Sequence, residues 1–345
     1  MNSILINKEK TIYDALKRLN GITNISRLIL FVTDNNDRII GSLTDGDIRR
    51  SLILDTNIRK KIEDVCRKDF FFEYDSNSYL DLKKYRDKDI KILPILNKGK
   101  NLVDLIDLEK IKSKLPVECM IMAGGKGKRL SPLTNSVPKP MLKLGGIPII
   151  EHNINNLISY GIKKIYISLN YLGSQIEEYF GDGSSKGICI EYVWEEKFLG
   201  TAGALSLINE YKSDNILLMN SDLFTNVNFE DLFLKLIQSE ADMAIASTNY
   251  KVDIPFAIFE TKQDKIISFK EKPSYDYYSN AGIYLLRKKL INDIPKNEFF
   301  DITDLMDLVL QKGGKLVCKP ISGYWIDIGS KSDYNRAKEF INHLN

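Results

Sequence analysis

Hydrophobic and polar positions follow two different rhythms along this chain. In residues 30–34 and 39–45, short apolar runs flank a polar turn and read as two strands around a tight connection, with a helix starting near Gly46. The same plan recurs at residues 93–96 and 102–107 around the turn Asn97-Lys98-Gly99-Lys100-Asn101, so the opening part of the chain contains a weak internal repeat. An amphipathic stretch precedes each copy, and in the first one Ile12, Ala15, Leu16 and Leu19 fall at helical spacing. Two such units would pair to bury their apolar faces.

Residues 110–116 form a charged connector ending in proline, and beyond it the rhythm changes. Strands are predicted at 118–122, 165–169, 188–193, 216–219 and 243–247, alternating with helices at 149–160, 174–180, 202–210 and 228–239. Such alternation predicts a mainly parallel sheet covered on both faces. Residues 256–286 read as short strands and turns, an antiparallel excursion before a last helix at 331–341. The expected organisation is therefore α/β with two domains, 1–116 and 117–345, which suits 345 residues at about 150 per domain.

Composition narrows the function classes. With 43% hydrophobic and 28% charged residues, and no uncharged run near the roughly 18 residues of a membrane span, a cytoplasmic protein without a membrane partner is expected. Lys plus Arg number 49 against 46 Asp plus Glu, too small an excess to suggest nucleic-acid binding. Cys66, Cys119, Cys189 and Cys318 are widely separated, and His152 and His343 lie away from them, so neither a zinc cluster nor a disulfide framework is indicated. Two histidines also leave little scope for His-based nucleophilic catalysis.

Charge is distributed less evenly than the totals suggest. Up to Pro116 there are 23 basic and 18 acidic residues, and after it 26 basic and 28 acidic. Within that slightly acidic second part, residues 119–150 contain no Asp or Glu, yet hold Lys126, Lys128, Arg129, Lys139 and Lys143. A stretch of this kind is what a polyphosphate site needs. Here the strand Met120-Ile121-Met122 runs into Ala123-Gly124-Gly125-Lys126-Gly127-Lys128-Arg129-Leu130. Closely spaced glycines let the backbone offer its N–H groups to phosphate oxygens. The spacing matches neither the dinucleotide fingerprint nor the P-loop. Further on, Pro138-Lys139-Pro140 holds a lysine between two prolines.

These residues, Gly124-Gly125-x-Gly127-x-Arg129-Leu130-x-Pro132-Leu133-Thr134 followed by Pro138-Lys139-Pro140, resemble the opening of the sugar-nucleotide pyrophosphorylases, and further matches extend over about 118–340. The resemblance implies a Rossmann-like mixed-sheet, GT-A-like nucleotidyltransferase domain. Such an enzyme joins a nucleoside triphosphate to a sugar 1-phosphate and releases pyrophosphate. It implies Arg129 and Lys139 as catalytic cations. It implies nucleotide binding by Ala123, Gly124, Gly125, Gly127, Lys128, Arg129, Gly200 and Thr201, and Mg²⁺ held by Asp222 and by Asp327 of Trp325-Ile326-Asp327-Ile328-Gly329. Glu271, Lys272 and Asn280 are implied as sugar-phosphate contacts. The form of Leu199-Gly200-Thr201-Ala202-Gly203-Ala204 is closest to members using guanosine nucleotides. Lys128, Ser221 and Ala257 depart from the common pattern, which bears on the choice of sugar.

The first domain, through Gly41-Ser42-Leu43-Thr44-Asp45-Gly46-Asp47, resembles a tandem CBS module, which implies a regulatory adenine or guanine nucleotide at Thr44 and Asp47, or a dimerising scaffold making a homo-oligomer. In the second copy Ile106 and Glu109 stand at those positions. Among proteins with this two-part layout the chain most resembles the glucosamine-1-phosphate guanylyltransferases of legionaminic acid synthesis. The implied partners are GTP and glucosamine 1-phosphate, with mannose 1-phosphate and GTP, or glucose 1-phosphate and UTP or dTTP, as alternatives. A nucleotide-sensing protein without turnover is the rival of another class.

Overall fold

A computed structural model describes residues 2–23, 25–76 and 79–344. It comprises two compact units, Met1–Lys114 and Leu115–Asn345. The first begins β1 (Leu5–Asn7), α1 (Ile12–Leu19), β2 (Ile29–Thr33), β3 (Ile39–Thr44) and α2 (Asp45–Leu54). Here β1 lies parallel to β2, and β2 antiparallel to β3. Both helices start on the same device. Thr11 and Asp14 exchange side-chain and backbone hydrogen bonds at α1, and Thr44 and Asp47 do so at α2, each satisfying amide groups at a helix start.

The second copy follows as β4 (Glu73–Tyr74), α3 (Lys83–Arg86), β5 (Ile92–Leu96) and β6 (Leu102–Asp107). Its sheet, in the order β4-β5-β6, repeats the first, but α3 is a single turn and, among the described residues, no helix follows β6. Ile4, Phe31 and Ile39 of the first copy pack with Ile92 and Leu96 of the second, so the two share a core. The predicted pairing of apolar faces is observed.

The second unit starts with β7 (Val117–Met122), the hairpin β8 (Lys143–Leu144) and β9 (Ile147–Pro148), then α4 (Ile149–Ser159), β10 (Lys164–Leu169), α5 (Ser174–Phe180) and β11 (Cys189–Trp194). It continues through α6 (Gly200–Gly203), β12 (Asn215–Asn220), β13 (Leu223–Thr225), α7 (Phe229–Gln238) and β14 (Met243–Asp253). Then come β15 (Ile258–Lys262), β16 (Lys265–Lys270), β17 (Ser274–Arg287), α8 (Ile302–Gln311), β18 (Leu316–Pro320), β19 (Trp325–Asp327) and α9 (Lys331–Leu344).

Among the described residues, seven strands form the main sheet in the order β11-β10-β7-β12-β17-β14-β18. The block β11-β10-β7-β12 is parallel, β17 runs antiparallel to both its neighbours, and β14 and β18 are again parallel. The sheet is therefore mixed. In β7, Val117 through Ile121 are all buried, as expected of a central strand covered on both faces.

The structure differs from the sequence reading in three places. The helix predicted at 202–210 is instead α6 and a following tight turn at Ala204–Leu207, after which Ile208 is extended, and the Ala202 and Gly203 amides of its first turn donate to the Phe300 carbonyl. The excursion at 256–286 is antiparallel and begins with the short strands β15 and β16, as expected, but ends in one long strand, β17, because it pairs with β14 along ten residues. Strand β18 and helix α8 were not foreseen, although Ile302, Leu305 and Val309 of α8 are buried at helical spacing.

Buried Glu118, 4% exposed, accepts the Lys212 amide at 2.9 Å and the Ser213 amide at 3.3 Å. Glu118→Ala strands these donors, and we expect a loss of about 1–3 kcal/mol in the stability of the second unit. Urea unfolding followed by tryptophan fluorescence checks this, since Trp194 and Trp325 both lie in that unit. An unchanged midpoint would remove the role.

Candidate functional site

Strands β7 and β12 are parallel neighbours with Met122 opposite Asn220. Ala123-Gly124-Gly125 and Ser221-Asp222 therefore leave the sheet side by side at its carboxyl edge, where open α/β sheets present their sites. The Ser221 amide donates to the Met122 carbonyl at 3.2 Å, and the Ala123 amide to the Ser168 carbonyl at 3.0 Å, tying both exits to the strands. Beyond Asp222, β13 pairs with β19 so that Leu223 faces Asp327, and the Ile328 amide donates to the Asp222 carbonyl at 3.1 Å. This register carries Asp327 to Asp222.

Lys139 opens a tight turn after Pro138, and its ammonium pairs with Asp222 Oδ2, the two side chains being only 11% and 23% exposed. Gly127 adopts φ +60, and a Cβ there would stand 3.1 Å from both Lys139 Cβ and Thr134 Cγ2. The Thr134 hydroxyl donates to the Gly127 carbonyl at 2.9 Å. The glycine-rich loop and the proline-held lysine therefore interlock, and only glycine suits position 127. The Arg129 guanidinium lies against Gly329, where a Cβ would meet its Nη2 at 3.3 Å. Lys128 is exposed, and Gly125 borders open space.

The carboxylate pair contains one unmet acceptor. Asp222 Oδ1 is buried and, among the described residues, has no hydrogen-bond partner. Such an atom costs about 1–3 kcal/mol unless something meets it. Desolvation by the surrounding protein pushes the Asp327 carboxyl above its ordinary value although the residue keeps contact with solvent; the neighbouring Asp222 charge adds to this, while Lys139 and Arg129 oppose it. Among the described residues no group of three or more His, Cys, Asp or Glu could hold a metal. Two carboxylates are nevertheless what Mg²⁺ takes when substrate phosphates and water complete its shell, so these residues fit that ion.

Gly200 and Thr201 border the same cavity of about 180 Å³ as Gly124, Gly125, Lys139 and Asp222. Gly200 has φ +78, and a Cβ would meet the Phe300 carbonyl oxygen at 2.7 Å. Thr201 is already engaged: its amide and hydroxyl donate to Asp301 Oδ1 at 2.9 and 3.1 Å, and the hydroxyl accepts the Ile302 amide at 2.8 Å. Asn280 lies on a segment tied to the aspartate cluster. Trp325 Nε1 donates to the Ala281 carbonyl at 2.8 Å, and Gly282 admits the Asn220 side chain, whose Nδ2 a Cβ would meet at 2.7 Å. Glu271 and Lys272 instead sit exposed in the turn between β16 and β17, and among the described residues no hydrogen bond or ion pair joins them to the cluster.

In the first unit, Thr44 borders a cavity of about 730 Å³ with Arg27, Ser42, Arg67, Phe71 and Lys91. Asp47 is spent on the helix cap: its Oδ2 accepts from the Thr44 amide and hydroxyl, and its Oδ1 pairs with Arg50 and Arg67.

Several residues that shape the site escaped the sequence reading. Glu195, Asp301 and Asn153, which donates to the Ser221 carbonyl at 3.3 Å, lie outside the quoted motifs and act through long-range pairing. The one available signal was a glutamate shortly before Leu199-Gly200-Thr201.

Comparisons with known proteins agree with this geometry. A nucleotidyl transferase family profile matches residues 118–343, and a CBS domain profile matches residues 1–54. Mannose-1-phosphate guanylyltransferase of Mycobacterium tuberculosis is 30% identical over 228 residues, covering 64% of this chain and 63% of that protein. Bifunctional protein GlmU of Methanococcus maripaludis is 33% identical over 241 residues, covering 66% of this chain and 55% of that protein. The chain thus spans less than two thirds of either relative. D-glycero-alpha-D-manno-heptose 1-phosphate guanylyltransferase of Aneurinibacillus thermoaerophilus is 30% identical over 234 residues, covering 66% of this chain and 99% of that protein. Among solved structures, a putative glucose-1-phosphate thymidylyltransferase from Bacillus anthracis aligns with TM-score 0.54 at 25% identity, over 66% of this chain and 96% of its own. HddC from Yersinia pseudotuberculosis complexed with GMP-PN aligns with TM-score 0.50 at 26% identity, over 65% of this chain and 99% of its own. Among the described residues no helix is long and apolar enough to cross a membrane. The glycine-rich loop, the proline-held lysine and the paired aspartates thus converge on one sheet edge inside the matched region, and the chain belongs to the nucleotidyl transferase family, with a CBS domain preceding the transferase fold.

Proposed function

We propose that this protein transfers a nucleoside monophosphate from a nucleoside triphosphate, with GTP favoured, to a sugar 1-phosphate, releasing pyrophosphate. The carrying observation is the orphaned Oδ1 of Asp222 beside Asp327, Lys139 and the glycine-rich loop. Guanosine nucleotides are favoured because two relatives are named as guanylyltransferases and the HddC structure holds GMP-PN. Glucosamine 1-phosphate, giving GDP-glucosamine, is our choice of acceptor from the resemblance of the two-part layout; mannose 1-phosphate is the nearest alternative.

In this reaction an oxygen of the sugar phosphate attacks the α-phosphorus of the triphosphate. The bond from that phosphorus to the β-phosphate oxygen breaks, and pyrophosphate departs with its electron pair. The attacking phosphate is already an anion near neutral pH, so no strong base is required. The histidines accord with this: His152 donates to the Leu144 carbonyl at 2.9 Å, and His343 is on α9. The protein's task is alignment and relief of repulsion between polyanions. Exposed Arg129 and Lys128 suit the β- and γ-phosphates, and Lys139 suits the α-phosphate. Asp222 and Asp327 would hold Mg²⁺, which supplies neutralising charge to the phosphate oxygens. Glu271, Lys272 and Asn280 are proposed for the sugar phosphate; β16, β17 and their turn would bring the first two toward it.

For the first unit we propose residues 1–116 as a tandem CBS module that binds an adenine or guanine nucleotide in the cavity bordered by Thr44, and that joins copies of the chain into a homo-oligomer. Thr44 is the proposed contact, with Asp47 holding the cap beneath it.

Two measurements test these readings. Pyrophosphate release is assayed with each triphosphate against a panel of sugar 1-phosphates, with and without Mg²⁺; Lys139→Ala and Asp222→Ala should each lose about 10²–10³-fold in turnover while remaining folded by circular dichroism. Wild-type rates in either variant would cancel its role, and no release from any pair would leave the sensor reading. Calorimetry of the full chain with AMP and ATP should show heat that weakens about 5–30-fold in Thr44→Ala, equivalent to one or two kcal/mol. No heat from either nucleotide favours the scaffold.

A further inference from the structure

A second cavity in the transferase unit, of about 720 Å³, lies at the opposite end of the main sheet from the aspartate pair. Strand β12 starts there at Asn215, which faces Arg287 at the end of β17. Asp222 lies beyond the far end of β12, and a strand of six residues spans about 17–20 Å, so the cavity is separate from the proposed transfer site. Its volume falls within the about 300–1,000 Å³ of a complete small-ligand pocket.

The floor is cationic, built by Arg287 and Lys288 where β17 ends. Half-buried Arg287 donates from Nε to the Ala241 carbonyl at 3.3 Å and from Nη1 to Oδ1 of buried Asn215 at 3.0 Å. A guanidinium has more N–H donors than these two acceptors use, and among the described residues no carboxylate forms an ion pair with it. Lys288 donates to the Tyr211 carbonyl at 3.2 Å and stands 3.9 Å from Asp214, whose side chain is 89% exposed, so its charge is barely offset. Lys289 is already taken, its ammonium lying 2.6 Å from Asp242. A planar guanidinium held by two fixed acceptors, with an ammonium beside it, is a donor set for phosphate oxygens.

The rim has the opposite character. Glu210 and Glu240 are exposed and, among the described residues, make no ion pair, while Asn209 and Asn292 add carboxamides. Carboxylates there repel a second anionic group but accept from hydroxyls, and carboxamides both donate and accept. Tyr211, the aromatic residue of the lining, is 4% exposed, with its ring edge-on to Tyr166 and its hydroxyl donated to the Leu205 carbonyl at 3.2 Å. No aromatic face is therefore open for a nucleobase to stack on, which disfavours a nucleotide.

We propose that this cavity is a second ligand site, which takes a hydroxylated phosphate monoester of the sugar or polyol class. Its phosphate meets Arg287 and Lys288, and its hydroxyl groups meet Glu210, Glu240 and the neighbouring carboxamides. One anionic head on a neutral hydroxylated body matches a cationic floor under an acceptor-rich rim, and a bare phosphate would leave most of the volume empty. Occupancy of this site needs none of the residues of the transfer reaction.

Calorimetry of the full chain with glucose 6-phosphate, glycerol 3-phosphate, inorganic phosphate and glucose tests this. Both esters should give heat, inorganic phosphate should bind about tenfold or more weaker than glucose 6-phosphate, and glucose should give none. Lys288→Gln should weaken glucose 6-phosphate about tenfold and Arg287→Gln about 10–100-fold. Lys139→Ala and Thr44→Ala, which alter the other two proposed sites, should leave that binding within about twofold. No heat from either ester would overturn the proposal, as would binding that Lys288→Gln leaves unchanged or that Lys139→Ala or Thr44→Ala abolishes. Equal binding of inorganic phosphate and glucose 6-phosphate would overturn the ligand class. Should Arg287→Gln fail to fold, because its guanidinium also braces Asn215, Lys288→Gln still decides.

Discussion

The short ladder between β13 and β19 is the constraint on which the site depends. It sets Leu223 opposite Asp327 and lets the Ile328 amide reach the Asp222 carbonyl. Two carboxylates from distant parts of the second unit are thereby forced together, an arrangement that repels itself. The structure offsets this partly with Lys139, which takes one oxygen of Asp222, and leaves the other oxygen without a hydrogen bond. Removing one partner of a well-buried pair costs about 3–5 kcal/mol; with side chains 11% and 23% exposed, this pair retains solvent screening and is worth less. The same partial burial leaves the pair open to solvent.

Around that ladder the packing is arranged to keep the charged groups still. Phe224, Ile326 and Ile328 join Leu130 of the glycine-rich turn, Ile149 of α4 and Ala337 of α9 in one buried cluster. Leu130 follows Arg129 directly, so the cation rests on a residue locked into the core. Trp325 reaches across to the Ala281 carbonyl, which couples the Asn280 segment to the same ladder. Thus phosphate loop, carboxylates and one proposed sugar contact share a rigid base, the preorganisation that electrostatic catalysis requires.

In the first unit the residues of the proposed nucleotide contact are also those of a helix cap. Thr44 and Asp47 stand where the sequence pattern suggested a nucleotide, yet their reciprocal hydrogen bonds begin α2, as Thr11 and Asp14 begin α1. A threonine followed three residues later by aspartate is thus a folding signal here before it is a binding signal. Thr44 also borders the cavity of the first unit, so the cap does not take it out of reach of that space.

The sequence alone determined those features in which neighbouring residues decide the outcome. The apolar rhythm marked β7, β10, β11 and β12 within a residue or two, since central strands covered on both faces are largely apolar and the edge strand β11 alternates buried with exposed positions. Gly127, Lys139 and Asp222 were legible because a tight turn, a proline-held lysine and a strand-end carboxylate each leave a local signature. What tertiary structure decided was everything that rests on register. The mixed order of the sheet, the docking of the α6 amides on the Phe300 carbonyl, the meeting of Asp222 with Asp327, and the burial of Glu195 beside Gly124 all arise from chain segments far apart in sequence. Local propensity carries no information about such partners, because backbone pairing is set by which strands meet and in what alignment.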